Sequence, residues 1–315
     1  MDVSIIIVNW NTKELLRDCL SSVYEHAGDI DYEIIVIDNA STDGSAEMVK
    51  NDFGQVILIE NTENRGFAAA NNQGMAVAKG RYVLLLNSDT IVLDNAIAKT
   101  VRFADENPRA AVTGCRVLNP DRTLQRTCFR FPSILNMLLS STYLYKLFPK
   151  NRFFGREQMT WWDRNDVRQV DVVTGCYMLV RREAIEQVGM MDEGFFIYGE
   201  ETDWCYRFKN EGWKVMFAPI GQIIHFGGQS TAQRPVAMIV QLRLSILKFM
   251  KKHYSRPAYL TARFLVALFF AVRLPVWLAK VLIQPTMRDE AAMKIKAYST
   301  GVVSALLGRV YSEKV

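Results

Sequence analysis

Three short apolar runs constrain this chain more than any other feature: residues 3–8 (VSIIIV), 32–37 (YEIIVI) and 82–86 (YVLLL). Their apolar side chains do not alternate with polar ones. That pattern belongs to strands covered on both faces, as in a parallel sheet with helices above and below. Helical patterns fill the spaces between them. Asn11 with Glu14 offers an N-cap-like start to an amphipathic helix ending near His26, and turn residues at 41–44 lead into a short helix. A third strand is expected over 56–59, a small-residue helix over 66–78, a helix over 94–106 and a strand over 111–117. Strand–helix alternation of this kind predicts an α/β fold with a mostly parallel central sheet.

In such sheets ligands bind beyond the carboxyl ends of the strands. Polar clusters fall at three of those ends: 9–12, 38–43 and 87–89. Each cluster alone also reads as ordinary turn and capping chemistry. Further along, 120–171 is aperiodic, basic and aromatic, contains Trp161 and Trp162, and reads as an insertion or lid. A strand over 170–180, helices over 182–188 and 202–212, and a strand over 214–218 follow.

With half of its 315 residues hydrophobic and 23% charged, the chain can bury a sizeable core. The net charge of +5, from 38 basic and 33 acidic residues, is too small to indicate nucleic acid and suits anionic phosphates or an anionic lipid surface. The five cysteines form no C-x-x-C pair, so a reducing compartment is expected. The N-terminus lacks a basic region and a cleavage site, so no signal peptide is expected.

From about Val236 the chain turns helical and apolar. Residues 264–283 (FLVALFFAVRLPVWLAKVLI) have the length of a membrane span but include Arg273, Pro275 and Lys280. A cation near the bilayer midplane costs roughly 2.5–3.5 kcal/mol on insertion scales. With Lys248, Lys251, Lys252, Arg256 and Arg263 nearby, the pattern suits interfacial helices broken at Pro275. A true span and a soluble core or dimer helix remain open, and homo-oligomerisation is undecided. The expected division is a catalytic domain over 1–235 and a membrane-associated helical region over 236–315.

Four places could carry chemistry. Asp89, in the run Asn87-Ser88-Asp89, could hold a hard divalent cation against a diphosphate, or could cap a turn. Glu200, Glu201 and Asp203 crowd a helix start, where the macrodipole favours acids and where one carboxylate could act as a general base. His225 precedes Gly227-Gly228 at a bend and could ligate a transition metal, or be structural. Asn64-Arg65-Gly66 opens a close-packing helix whose start could meet phosphate. No G-x-G-x-x-G or Walker loop is present.

Taken together, VSIIIVNWN, VIDNASTDGS, ENRGFAAANNQG, LLLNSDT, VTGCYMLVRREA, FFIYGEETDWCYR and HFGGQS, in this order over residues 3–230, resemble the family 2 inverting glycosyltransferases, especially rhamnosyltransferase-like bacterial members. The resemblance implies a GT-A type, Rossmann-like nucleotide-diphospho-sugar fold. It implies that Asp38 meets the nucleotide base with Asn9 nearby. Arg65, Asn87 and Ser88 would line the donor pocket, and Asp89 would bind metal with His225. It makes Glu201 the base, one methylene longer than the family's Asp, with Asp203 structural or acceptor-binding beside Glu200. Asn87 stands where the family often has the first Asp of Asp-x-Asp, leaving one carboxylate.

The expected reaction is therefore an Mn²⁺- or Mg²⁺-assisted inverting sugar transfer from dTDP-rhamnose, or else a UDP-sugar, to a glycan or polyprenyl-lipid-linked acceptor. It would take place at the cytoplasmic face of the membrane, in cell-surface polysaccharide synthesis. A nucleotidyltransferase would need a glycine-rich basic signature that VNWNTKE lacks. A non-catalytic nucleotide-sugar-binding module would not need Glu201.

Overall fold

The computed structural model describes residues 1–142, 144–229 and 235–308. The elements run β1 (Val3–Asn9), α1 (Lys13–His26), β2 (Tyr32–Asp38), α2 (Ser45–Asp52), β3 (Ile57–Glu60), α3 (Gly66–Val77), β4 (Tyr82–Asn87), β5 (Thr90–Leu93), α4 (Ala96–Glu106) and β6 (Ala110–Leu118). Then come β7 (Cys128–Phe129), α5 (Ile134–Ser141), α6 (Leu144–Leu147), β8 (Arg168–Val170), β9 (Val172–Val173), β10 (Tyr177–Arg181), α7 (Arg182–Val188), α8 (Glu200–Asn210) and β11 (Lys214–His225). Helices α9 (Pro235–His253), α10 (Arg256–Ala271), α11 (Leu274–Ile283) and α12 (Arg288–Leu307) complete the described chain. Two compact units result. One comprises Met1–Arg130, Trp162–Phe196 and Glu200–Ser230; the other comprises Phe131–Trp161, Ile197–Gly199 and the described residues of Thr231–Val315.

The first unit holds a mixed sheet in the order β3-β2-β1-β4-β10-β6-β11-β5, with β8 pairing on β11. Strands β1, β2, β3 and β4 are parallel, as are β6 and β11, while β10 runs antiparallel between β4 and β6. The unbroken apolar runs have the expected cause. Ile5 and Ile7 face the core shared with α1 and α4, while Ile6 faces α3 on the other side. There Gly74 lets α3 approach closely: a Cβ at this position would lie 2.7 Å from Ile6 Cγ2.

Several details differ from the sequence reading. Asn11 does not cap α1. Its backbone is left-handed (φ 52°), the N-cap is Thr12, and the Asn11 side-chain oxygen accepts from Thr42 N at 2.8 Å. The expected strand over 170–180 is three short pieces, β8, β9 and β10. The run Thr90–Leu93, which the sequence pattern assigns to no element, is a strand paired antiparallel with the end of β11. Helix α8 starts at Glu200, so Glu200 and Glu201 lie in its first turn.

In the second unit α10 packs one side, burying Leu265, Val266 and Phe270; Ser141 Oγ donates to Leu265 O at 3.2 Å, and Gly301 of α12 lies against the Phe270 ring. The stretch Arg256–Ile283 is long and apolar enough to cross a membrane. It breaks at Val272 and Arg273, and Pro275 falls in the first turn of α11, where its missing N–H costs nothing. The Arg273 guanidinium is buried, donating to Phe269 O at 2.6 Å and to Ser140 O at 3.2 Å. No residue of α11 is buried.

Candidate active site

Parallel register brings Asn9 beside Asp38 and Val8 beside Asn87, so the polar clusters at three strand ends share one edge of the sheet. Asn9 Nδ2 donates to Asp38 Oδ1 and to Ser41 Oγ, both at 3.1 Å, and Ser41 N donates to Asp38 Oδ2 at 2.9 Å. Thr12 Oγ1 donates to Asn9 Oδ1 at 2.7 Å and lies 2.9 Å from Ser88 Oγ, joining the ends of β1 and β4. Asp38 is 3% exposed, so its carboxylate is held by a fixed set of donors rather than by water.

The Arg65 turn is organised by a residue the sequence reading did not single out. Asn39 Oδ1 accepts from Asn61 Nδ2 and Arg65 N, both at 3.0 Å, while its Nδ2 donates to Asn64 Oδ1 at 2.9 Å and Gly66 O at 3.3 Å. Gly66 has φ 81°, and a Cβ there would lie 2.4 Å from Phe196 O. The turn therefore requires glycine on both conformational and steric grounds. The Arg65 guanidinium is left exposed, with no partner among the described residues.

At the end of β4, Asp89 is 6% exposed. The β5–β11 pairing sets His225 opposite Thr90, and His225 Nε2 comes within 3.2 Å of Asp89 Oδ1 and 3.1 Å of Asn87 Nδ2. On its other side His225 Nδ1 lies 2.6 Å from Gln125 Oε1, a second residue missed at the sequence level. Nothing in the run NPDRTLQR marks Gln125, because its partner is 100 residues away.

The donor atoms fit a hard divalent cation. Two neighbouring ligands of an octahedral ion lie about 3.0 Å apart, close to the observed separation of Asp89 Oδ1 and His225 Nε2. Among the described residues no group of three or more His, Cys, Asp or Glu could hold a metal. Were a cation bound there, Asp89 and His225 would supply two ligands, and phosphate and water would have to complete the shell.

Of the acids on α8, Asp203 is fully buried, and Arg207 Nε donates to its Oδ2 at 2.9 Å. Arg207 in turn donates to Val188 O at 3.0 Å and Met190 O at 2.7 Å, so this pair fastens α8 to the loop after α7. Glu200 is buried and Glu201 half-buried. The Cys176 thiol, in the turn before β10, is pushed up to about 12 by burial, and the charges of Asp89 and Glu201 both add to that shift. Asn87 N, donating to Cys176 O at 3.1 Å, ties that turn to the end of β4.

Residues 4–189 match the model of glycosyl transferase family 2, and the chain belongs to that family. It is 25% identical over 233 residues to the N-acetylglucosaminyl-diphospho-decaprenol L-rhamnosyltransferase of Mycobacterium tuberculosis, covering 70% of this chain and 75% of the relative. It is also 25% identical over 228 residues to the low-salt glycan biosynthesis hexosyltransferase Agl10 of Haloferax volcanii, covering 71% and 67%. Among solved structures, the mannosyltransferase PcManGT of Pyrobaculum calidifontis, in complex with GDP-Man and Mn²⁺, aligns with a TM-score of 0.57 at 15% identity over 99% of this chain and 87% of that one. GalNAc-T7 with UDP, GalNAc and Mn²⁺ aligns with a TM-score of 0.51 at 19% identity, over 71% of this chain and 43% of that one. The fold is accordingly of the GT-A type, with a mixed but mostly parallel sheet, and the activity class is glycosyl transfer.

Proposed function

We propose that this chain is an inverting hexosyltransferase that moves a sugar, best read as rhamnose from dTDP-rhamnose, to a glycan or polyprenyl-linked acceptor in cell-surface polysaccharide synthesis. The observation that carries the reading is the placement of Asp89 Oδ1 and His225 Nε2 3.2 Å apart on the same sheet edge as the Asp38–Asn9 cluster. The activity named for the mycobacterial relative supports rhamnose and a polyprenyl diphosphate acceptor. A UDP-hexose donor is the alternative.

In this reading Asp38 and Asn9 receive the nucleotide base, and Arg65, Asn87 and Ser88 line the donor pocket. Arg65 presents its exposed guanidinium to phosphate. Asp89 and His225 hold Mn²⁺ or Mg²⁺, which when bound neutralises charge on the leaving diphosphate. Glu201 takes the proton of the acceptor hydroxyl as that oxygen attacks the sugar C1. The bond from C1 to the diphosphate breaks on the opposite face, so the anomeric configuration inverts. Asp203 keeps α8 in place through Arg207.

The same reading sets the enzyme at the cytoplasmic face of a membrane. No Asp or Glu occurs over residues 212–288, which carry eleven Lys and Arg, a balance suited to anionic lipid. On α11 the Trp277 ring has Lys280 Nζ 4.1 Å and Lys294 Nζ 6.0 Å from its centroid, the kind of side chains that anchor at a lipid–water interface.

The test is turnover of a panel of nucleotide sugars with an acceptor-lipid extract, with Mn²⁺ and with EDTA, for wild type and Glu201→Gln. One donor should turn over only with metal, and the variant should be about 10²–10⁴-fold slower. No turnover of any donor would sink the transferase reading and favour a binding module.

A further inference from the structure

We infer that Gln125 is a positioning residue that sets the proton tautomer of His225 and so turns the Nε2 lone pair toward Asp89. The inference rests on the reading of Asp89 and His225 as cation ligands, and adds to it a residue outside every motif that carried the family resemblance.

The amide orientation of Gln125 follows from its partners. Its Nε2 lies 3.1 Å from the backbone carbonyl oxygen of His225, which can only accept, so the NH₂ group must face that oxygen. The same NH₂ donates to Asn119 Oδ1 at 2.9 Å. Asn119 Nδ2 is itself committed to Thr123 Oγ1 at 2.9 Å, which leaves its oxygen turned toward Gln125. Two independent acceptors therefore fix the amide, and Gln125 Oε1 is left facing His225 Nδ1 at 2.6 Å. The Gln125 amide oxygen and the Asp89 carboxylate are both acceptor-only, but the contact at Nδ1 is 2.6 Å against 3.2 Å at Nε2, so the ring proton of neutral His225 sits on Nδ1. Nε2 is then bare, accepting from Asn87 Nδ2 at 3.1 Å and aimed at Asp89 Oδ1. A metal ligand needs that lone pair.

The support under Gln125 is rigid for a local reason. Asn119 N donates to Thr123 O at 2.8 Å, Arg122 N donates to Asn119 O at 2.9 Å, and Gln125 N donates to Val117 O at 2.9 Å. The turn after β6 is thereby closed on itself before it reaches His225. Gln125 holds both the main chain and the ring of the same histidine, so ring rotation and tautomer exchange each cost a hydrogen bond.

Two measurements test this. The first needs no variant: long-range ¹⁵N–¹H correlation on ¹⁵N-histidine-labelled protein near pH 8, with the His225 signals assigned by their absence in His225→Ala. A protonated Nδ1 and a bare Nε2 are expected, and a neutral His225 protonated on Nε2 overturns the inference. The second titrates Mn²⁺ in the presence of saturating dTDP, and in parallel UDP, reading free Mn²⁺ by electron paramagnetic resonance. Gln125→Met keeps the side-chain length but removes the acceptor, and should weaken Mn²⁺ binding about 10–100-fold while its ¹⁵N spectrum shows both tautomers. Weaker binding in His225→Ala with wild-type binding in Gln125→Met overturns the inference alone. Unchanged Mn²⁺ binding in His225→Ala overturns the cation-ligand reading instead, with the tautomer of the wild-type ring still judging the role of Gln125.

Discussion

The ends of β1 and β2 and the ends of β4 and β11 share one edge of the sheet but are built on opposite principles. Around Asp38 and Asn39 hydrogen bonding is dense and spans at most 29 positions: Asn39 alone makes four contacts with residues 61–66, and Asp38 binds Asn9 and Ser41. Around Asp89 and His225 two lone pairs face one another, and the supporting residue is drawn from 100 positions away. Buried amides with all of their partners rigidify a loop, whereas facing lone pairs store electrostatic capacity for a ligand. One end is made for shape and the other for charge.

The contrast predicts an ordered set of stability losses. Asn39→Ala should cost most, about 3 kcal/mol by urea unfolding, because Arg65 N and the amides of Asn61 and Asn64 lose their common partner. Gly66→Ala should cost about 2 kcal/mol from left-handed backbone strain, with a displaced Phe196 carbonyl and weakened donor binding in calorimetry. Asp89→Asn should stay within about 0.5 kcal/mol of wild type while losing metal-dependent turnover. An Asp89→Asn variant as unstable as Asn39→Ala would break the comparison.

What the sequence makes legible follows the same divide. The strands β1, β2 and β4 stand out because burial on both faces leaves only apolar residues, and the ends of these strands stand out because they alone are polar. The helix start at Glu200 was misplaced by two residues, since acids at a first turn also read as a preceding loop. β5 was hidden because Thr90–Leu93 is short and becomes a strand only by pairing with β11. Asn39 lay inside a noticed motif, but its partners 22–27 residues on could not be seen from it. Gln125 carried no signal at all, since its role depends on β6 and β11 being neighbours.

The burial described for Cys176 extends to all five cysteines and gives the molecule a chemical timer. All five are free and enclosed; burial pushes the thiols of Cys19, Cys128, Cys176 and Cys205 up to about 12 and that of Cys115 well up. At pH 8 only about one thiol in ten thousand of the four is ionised, too few for fast attack on a disulfide reagent. Native protein should show no rapid reaction with Ellman's reagent and five equivalents in guanidinium; a fast equivalent in the native state would reveal an open core. Because Asn87 N donates to Cys176 O, slow labelling of Cys176 would record how often the turn before β10 opens, and a bound nucleotide sugar should lengthen the interval.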